Sequence, residues 1–235
     1  MKGYFSKGEL ILWAASVLLT GTAFFIFDKQ NYLVLAATLT GATSLILCAK
    51  GNPAGQLLMI AFSVMYGIIS YSCRYYGEMI TYMGMTAPMA LISMIAWFRN
   101  PYGKGRSQVK VRRTSAGDVI LTLIVTAAVT VLFYFILEAF GTANIVMSTV
   151  SVATSFAAVS LTFIRSRFFA LAYAMNDIVL IIMWAAASVS DRSYVFMTVC
   201  FVMFLANDIY GYISWRAMEK RQSETAPAEK EDNNA

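Results

Sequence analysis

The chain has 235 residues, of which 59% are hydrophobic and only 13% charged, and its formal net charge is +5. A soluble globular domain carries about 25% charged residues, so the composition excludes that class and indicates a polytopic membrane protein. The sequence has no histidine, and its three cysteines form no C-x-x-C motif. We therefore expect no zinc site, no disulfide framework and no cofactor.

Eight hydrophobic segments are long enough to cross a bilayer. They cover residues 9–27, 31–49, 54–73, 77–98, 117–138, 144–164, 168–188 and 193–215. The first is too long for a signal peptide and has no A-x-A site after it, so we expect it to be retained. A basic loop at residues 99–116 separates the fourth and fifth segments, and the polar tail at 217–235 is predicted to be disordered.

Lysine and arginine divide unevenly between the two sides of the membrane that eight spans define. Fifteen of the 18 lie with the two termini and the loops after the second, fourth and sixth segments, among them Lys2, Lys104 and Arg106. By the positive-inside rule, both termini are expected in the cytoplasm. The basic loop then faces an anionic leaflet of the lipid bilayer, so no nucleic-acid partner is needed to explain the net charge.

An internal repeat links two parts of the chain. Residues 35–71 are similar to residues 147–183, and an Ala-Thr-Ser triplet occurs in both, at 42–44 and 153–155. Segments two to four would then match segments six to eight, as in transporters built from parallel repeats. The alternative is that apolar helices rich in small residues simply resemble one another.

Two Asn-Asp pairs, Asn176-Asp177 and Asn207-Asp208, lie inside the last two hydrophobic segments. A carboxylate in hydrocarbon costs roughly 2.5–3.5 kcal/mol or more, so these residues should face protein, water or a ligand. Each asparagine lies about eight residues, or roughly 12 Å, from the cytoplasmic end of its helix. We therefore predict that both pairs meet in one cavity.

Helical spacing places aromatic rings beside these polar groups. Tyr173, Asp177 and Trp184 share one helical face, and Tyr210 lies beside the face of Asn207. Amides and aromatic faces suit a neutral or weakly cationic ring that carries sugar hydroxyls. No inward-facing lysine or arginine lies at this depth, which argues against a phosphorylated solute. The predicted substrate-binding residues are Asn176, Asn207, Trp184, Asp177, Tyr173, Tyr210 and Gln56, and we predict no catalytic residue and no metal ligand.

Structural roles compete with these assignments, because polar residues in membrane helices often hydrogen-bond a neighbouring helix. Function is favoured for Asn176 and Asn207, the two interpretations are balanced for Asp177 and Asp208, and a helix-start role is favoured for Gln56. Trp215 is interpreted as an interfacial residue and Glu78 and Glu138 as solvated residues at segment ends. Pro88 is expected to kink the fourth segment.

The motif N-D-I-Y-G-Y-I-S-W at residues 207–215, followed by Arg216, resembles the last helix of PnuC-type vitamin transporters. Residues 170–184 resemble their penultimate helix, and the resemblance covers about residues 31–216. It implies an all-α membrane protein related to SWEET sugar transporters, often a homotrimer, with two parallel three-helix bundles in a 3+1+3 arrangement. The implied parts are an extra N-terminal helix (1–30), a first bundle (31–98), the basic cytoplasmic loop (99–116), a linker helix (117–138), a second bundle (144–216) and the tail (217–235).

The usual substrate of this family is nicotinamide riboside, which moves by facilitated diffusion across the bacterial inner membrane and is trapped by a separate cytoplasmic kinase. Relatives carry thiamine, riboflavin or nucleosides instead. The resemblance maps the family's pocket onto Trp184, Asn176 and Asn207, with Gln56 as a weaker match. The first bundle has Met65 and Tyr66 where an Asn-Asp pair would align, so the pocket is expected to be asymmetric.

Two other classes compete with a transporter. Asp177 and Asp208 would suit an intramembrane aspartyl protease, but neither lies in a G-x-G-D sequence and an asparagine precedes both. A sensor or scaffold would bind the solute without moving it. For a transporter we expect no proton coupling, because each asparagine is predicted to hydrogen-bond the neighbouring aspartate and keep it ionised.

Overall fold

The computed structural model describes residues 4–103, 107–142 and 144–232, the last eight of them by their backbone alone. Lys2, Lys104 and Arg106, which were counted in the charge distribution, and residues 233–235 of the tail lie outside the described residues. Within those ranges the regular structure is helical, apart from an isolated bridge between Pro101 and Val109.

The helices agree with the predicted segments. They are α1 (Lys7–Phe27), α2 (Tyr32–Ala49), α3 (Ala54–Ser72), α4 (Tyr76–Thr81), α5 (Ala87–Phe98), α6 (Ala116–Ala139), α7 (Ile145–Phe163), α8 (Phe169–Ser188) and α9 (Val195–Asp232). The pair α4 and α5 forms one span, joined by a π-helical turn, Tyr82–Thr86. In the described part of the chain, eight stretches are long and apolar enough to cross a membrane. The protein is therefore a multi-pass membrane protein, as predicted.

Local sequence explains how two helices begin and where α2 ends. Ser6 accepts a hydrogen bond from the backbone of Glu9, whose carboxylate accepts one from the backbone of Ser6. Ser115 and Asp118 form the same reciprocal capping box at the start of α6. After α2 the backbone turns at Gly51, whose φ of 69° lies in the left-handed region that glycine adopts most readily.

The fourth span is irregular where the kink is predicted. Pro88 lacks an N–H group, and its ring clashes with the carbonyl four residues earlier in a regular helix. The helix widens into the π-helical turn just before this proline. Tyr82, the first residue of this turn, points into the protein interior and is only 5% exposed.

The helices pack as two groups. The first contains α2, α3, α4 and α5, and the second contains α7, α8 and α9; contacts of α2 with α9 and of α5 with α7 join them. α1 packs on α2 and α9, whereas α6 packs on α7 and leaves nearly all of its surface exposed. The main hydrophobic core lies between α2, α3, α8 and α9.

The environments of Glu78 and Trp215 differ from the predictions. Glu78 is fully buried instead of solvated, and neither of its carboxylate oxygens has a hydrogen-bond partner among the described residues. It lies in the first turn of α4, beside Ser151 of α7, so α7 covers the segment end that was expected to face solvent. Glu138 is exposed, as expected. Trp215 is fully buried instead of interfacial, because it packs against Trp97 and Phe169. Its indole nitrogen donates to the carbonyl of Cys48 at 2.8 Å.

The last helix is longer than its hydrophobic segment. α9 continues to Asp232, through a region whose composition predicts disorder. The first part of this extension packs on the basic loop: Gln222 accepts from the backbone N–H of Val111 at 2.8 Å and donates to the carbonyl of Val109 at 3.1 Å. These two bonds connect the end of α9 to the loop that precedes α6.

Candidate substrate-binding site

A small cavity lies in the core between α2, α3, α8 and α9, with Tyr82 of the π-helical turn at its edge. Its polar lining residues are Tyr82, Tyr173, Asn176, Asp177 and Asp208, and its apolar ones are Gly41, Leu45, Met59, Phe62, Phe201 and Phe204. Neither lysine nor arginine occurs in this lining. The cavity therefore combines carboxyl groups, an amide and aromatic rings without a countercharge from the protein.

Asn176 is fixed in place by hydroxyl groups of α7. Its side-chain oxygen accepts from Thr154 and Ser155 at 2.9 Å each, and the Ser151 hydroxyl lies at 3.4 Å. Its amide nitrogen donates to the Tyr82 hydroxyl at 3.4 Å. Thr154 and Ser155 belong to the repeated Ala-Thr-Ser triplet, so the signal for this support was in the sequence, but its role was missed.

Asp177 and Asp208 face each other across the contact of α8 with α9, with their carboxyl groups within hydrogen-bonding reach. Both side chains are only 4% exposed, and one oxygen of Asp177 has no partner among the described residues. Two carboxylates this close repel each other unless they share a proton or bind a cation. This pair is therefore the place in the cavity where positive charge is most favourable.

The predicted bonds between each asparagine and the aspartate that follows it are not present. Asn176 bonds to α7 and Tyr82, and Asn207 bonds to α1 and to its own helix. Consecutive residues of a helix point about 100° apart, so an asparagine and the next aspartate face different neighbours. The aspartates are thus not kept ionised by amides, and that argument against proton coupling was wrong.

Asn207 and Tyr210 face α1 and do not line the cavity. The Asn207 amide donates to the Ser16 hydroxyl at 2.9 Å and to the Met203 carbonyl at 2.7 Å. The Tyr210 hydroxyl donates to Glu9 at 2.7 Å, and Lys50 pairs with the same carboxylate at 3.1 Å. One cavity thus brings together Asn176, Asp177 and Asp208, whereas Asn207 lies outside its lining and faces α1.

Trp184 and Gln56 are buried outside the cavity lining. The Trp184 indole donates to the Tyr66 hydroxyl at 2.9 Å, and the Tyr66 ring stacks on Phe62, a lining residue, at 5.6 Å between centroids. Gln56 donates to the sulfur of Cys48 at 3.3 Å. Tyr173, Asn176 and Asp177 are therefore the predicted residues that reach the cavity directly, and Trp184 supports one of its rings.

Aromatic rings close the cavity in this conformation. Its free volume is about 20 Å³, which is room for about one water molecule. Phe204 packs edge-on against Phe62 and Phe201, with centroids 5.4 Å and 5.6 Å apart. The Phe204 ring lies directly over Gly41, where an added Cβ would come within 2.3 Å of it. Any larger solute requires these rings to move.

Comparison with known proteins identifies the family. The model of the nicotinamide mononucleotide transporter family matches residues 31–217. The chain belongs to this family. Two relatives named nicotinamide riboside transporter PnuC, from Neisseria mucosa and Haemophilus influenzae, are 24% and 23% identical to it. The alignments cover 90% of this chain in both cases, and 82% and 91% of the respective relatives.

The fold agrees with this assignment. A crystal structure described as the vitamin B3 transporter PnuC superimposes with a TM-score of 0.83 at 22% identity, over 94% of this chain and 95% of that one. As a member of a transporter family, the chain is not an aspartyl protease, although Asp177 and Asp208 do face each other as such an enzyme requires. The family match begins at residue 31, so α1, which contacts Asn207 and Tyr210, lies outside the matched region.

Proposed function

We propose that this protein carries nicotinamide riboside across the bacterial inner membrane, and that Asp177 and Asp208 receive the positive charge of its pyridinium ring. The observation that carries this proposal is a buried pair of carboxyl groups among aromatic rings with no lysine or arginine in the lining. A cationic ring supplies the missing countercharge, and once the rings of Phe62, Phe201 and Phe204 move apart, their faces offer it cation–π contacts. Asn176 is placed to pair with a ribose hydroxyl.

The same lining disfavours a phosphorylated nucleotide, although the family description mentions a mononucleotide. A phosphate brought next to Asp177 and Asp208 would be desolvated beside like charge with no cation to compensate. Thiamine is the second candidate substrate, because it too carries a cationic ring. Riboflavin and neutral nucleosides lack the charge that this pair would bind.

Facilitated diffusion is the proposed mechanism, with a separate cytoplasmic kinase trapping the solute, as the family resemblance implies. We place both termini in the cytoplasm, and the support for this is the fifteen-to-three division of lysine and arginine. We also propose a homotrimer. The apolar, largely exposed surface of α6 offers area for such contacts.

The experiment is uptake of labelled nicotinamide riboside into proteoliposomes that contain only this protein. Because the solute is a cation, the membrane potential is held at zero with equal potassium on both sides and an ionophore. Internal label should level off at the external concentration, with or without a pH gradient. Accumulation above that level under a pH gradient, abolished by a protonophore, would overturn facilitated diffusion. Absence of uptake would overturn nicotinamide riboside as the substrate.

A further inference from the structure

A second, open cavity of about 1030 Å³ lies at the end of the bundle near the start of α8, between the basic loop and residues 213–223 of α9. We call it the basic groove. Its cationic residues are Lys110, Arg113, Arg167, Arg216 and Lys220, and its one acidic lining residue, Glu219, pairs with Arg167 at 2.5 Å. Lys110, Arg113 and Arg216 form no ion pair with any side chain that the structure describes. Among those side chains, the groove therefore has an excess of positive charge.

Backbone hydrogen bonds fix the wall that carries Lys110 and Arg113. The N–H of Val109 donates to the carbonyl of Gly51 at 2.9 Å, and the N–H of Arg112 donates to the carbonyl of Arg165 at 3.0 Å. Between them, the N–H of Val111 donates to Gln222 of α9. These bonds connect the loop to three other parts of the fold, so the backbone that carries Lys110 and Arg113 is held in position.

The groove also has an apolar part. Ile213 and Phe168 line it, and Ile213 is 58% exposed on the membrane-spanning part of α9. Arg216 and Lys220 follow Ile213 on the same helix, toward the end of the span. The lining thus changes from apolar to strongly basic along the direction in which a lipid changes from acyl chain to phosphate.

We propose that the basic groove binds an anionic phospholipid, with its phosphate near Arg113, Arg216 and Lys110 and an acyl chain along Ile213 and Phe168. Phosphate groups pair well with guanidinium groups, and basic pockets beside membrane helices bind anionic headgroups. A soluble phosphate compound would use the cations but would leave the exposed apolar surface of Ile213 unoccupied. The two parts of the lining together therefore favour a lipid.

The test compares binding of phosphatidylglycerol and phosphatidylcholine to the purified protein by native mass spectrometry. The variant is R113Q/R216Q, and the control is R99Q, which removes an exposed arginine outside the groove. Each cation near an anionic headgroup contributes about a 5-fold effect, so the double variant should bind phosphatidylglycerol about 25-fold more weakly. R99Q should bind it within about 2-fold of the unchanged protein, and phosphatidylcholine should bind all forms equally weakly.

Equal binding of phosphatidylglycerol by R113Q/R216Q and R99Q would overturn the proposal. So would equal losses in R113Q/R216Q and in R113K/R216K, because the second variant keeps both charges. Inorganic phosphate is the probe for a soluble ligand. If it binds in an arginine-dependent way while phosphatidylglycerol does not, the groove is a site for a soluble phosphate compound and not for a lipid.

Discussion

The same dipeptide, Asn-Asp, is used differently on α8 and on α9. On α8, Asn176 reaches the cavity and is supported by Thr154 and Ser155 of α7. On α9, Asn207 turns toward Ser16 of α1 and lies outside the cavity lining. The two aspartates that follow them are used alike, because both line the cavity and face each other.

This difference shows that the aspartates, and not the asparagines, are the common centre of the site. Both asparagines bond to a helix that flanks α8 and α9, and whether each one also reaches the cavity depends on the groups it bonds to there. α7 offers hydroxyls and leaves the Asn176 amide at the cavity edge, whereas α1 offers Ser16 and takes up the Asn207 amide. Substitutions in the two dipeptides should therefore have graded effects.

The largest effect is expected for removal of both carboxylates. The variant D177N/D208N keeps size and hydrogen bonding but removes the countercharge for a cationic ring. Loss of one side of a buried charge pair costs roughly 2–5 kcal/mol, so nicotinamide riboside should bind about 30- to 5,000-fold more weakly. Competition binding with labelled substrate measures this change.

Reduced nicotinamide riboside, which is uncharged, provides the matched ligand for this variant. Its affinity should stay within about 3-fold, because the carboxylates offer it no charge interaction. E138Q removes an exposed carboxylate and is the matched protein control. If D177N/D208N lost the charged and uncharged ligands equally, the pair would have a structural role and the charge argument would fail.

The sequence predicted the spans well because bilayer thickness sets their length and the cost of burying charge sets where Lys and Arg lie. It also predicted that Asp177 would face protein, water or a ligand and not lipid, because the energetic cost of a carboxylate in hydrocarbon does not depend on the details of packing. It did not predict that Asn207 would face α1 and not the cavity, because the rotation of α9 about its own axis depends on its contacts with α1. The prediction that Glu78 is solvated was wrong for a related reason. Hydropathy locates the end of a segment but does not show that α7 covers it.

A smaller effect is expected for Asn176→Ala. The substitution removes an amide that is buried, oriented by α7 and open to the cavity. A lost hydrogen bond to a buried polar group costs roughly 1–3 kcal/mol, so affinity for nicotinamide riboside should fall about 5- to 150-fold. The reduced riboside should lose as much, because its hydroxyl groups are the same. Unchanged affinity for both ligands would show that Asn176 only connects α8 to α7 and Tyr82.

The smallest effect on binding is expected for Asn207→Ala, although the family resemblance favours this residue as a ligand contact. In the structure its amide connects α9 to Ser16 of α1, so its removal should change affinity by less than about 3-fold. A side-chain hydrogen bond between membrane helices contributes about 0.6 kcal/mol on average, so stability should fall by about that much. Thermal unfolding in detergent, with Ser16→Ala and the double variant, gives the coupling between the two side chains. A loss of affinity as large as that of Asn176→Ala, with no coupling to Ser16, would mean that Asn207 turns into the cavity when substrate binds. The contrast between the two dipeptides would then hold only for the closed conformation.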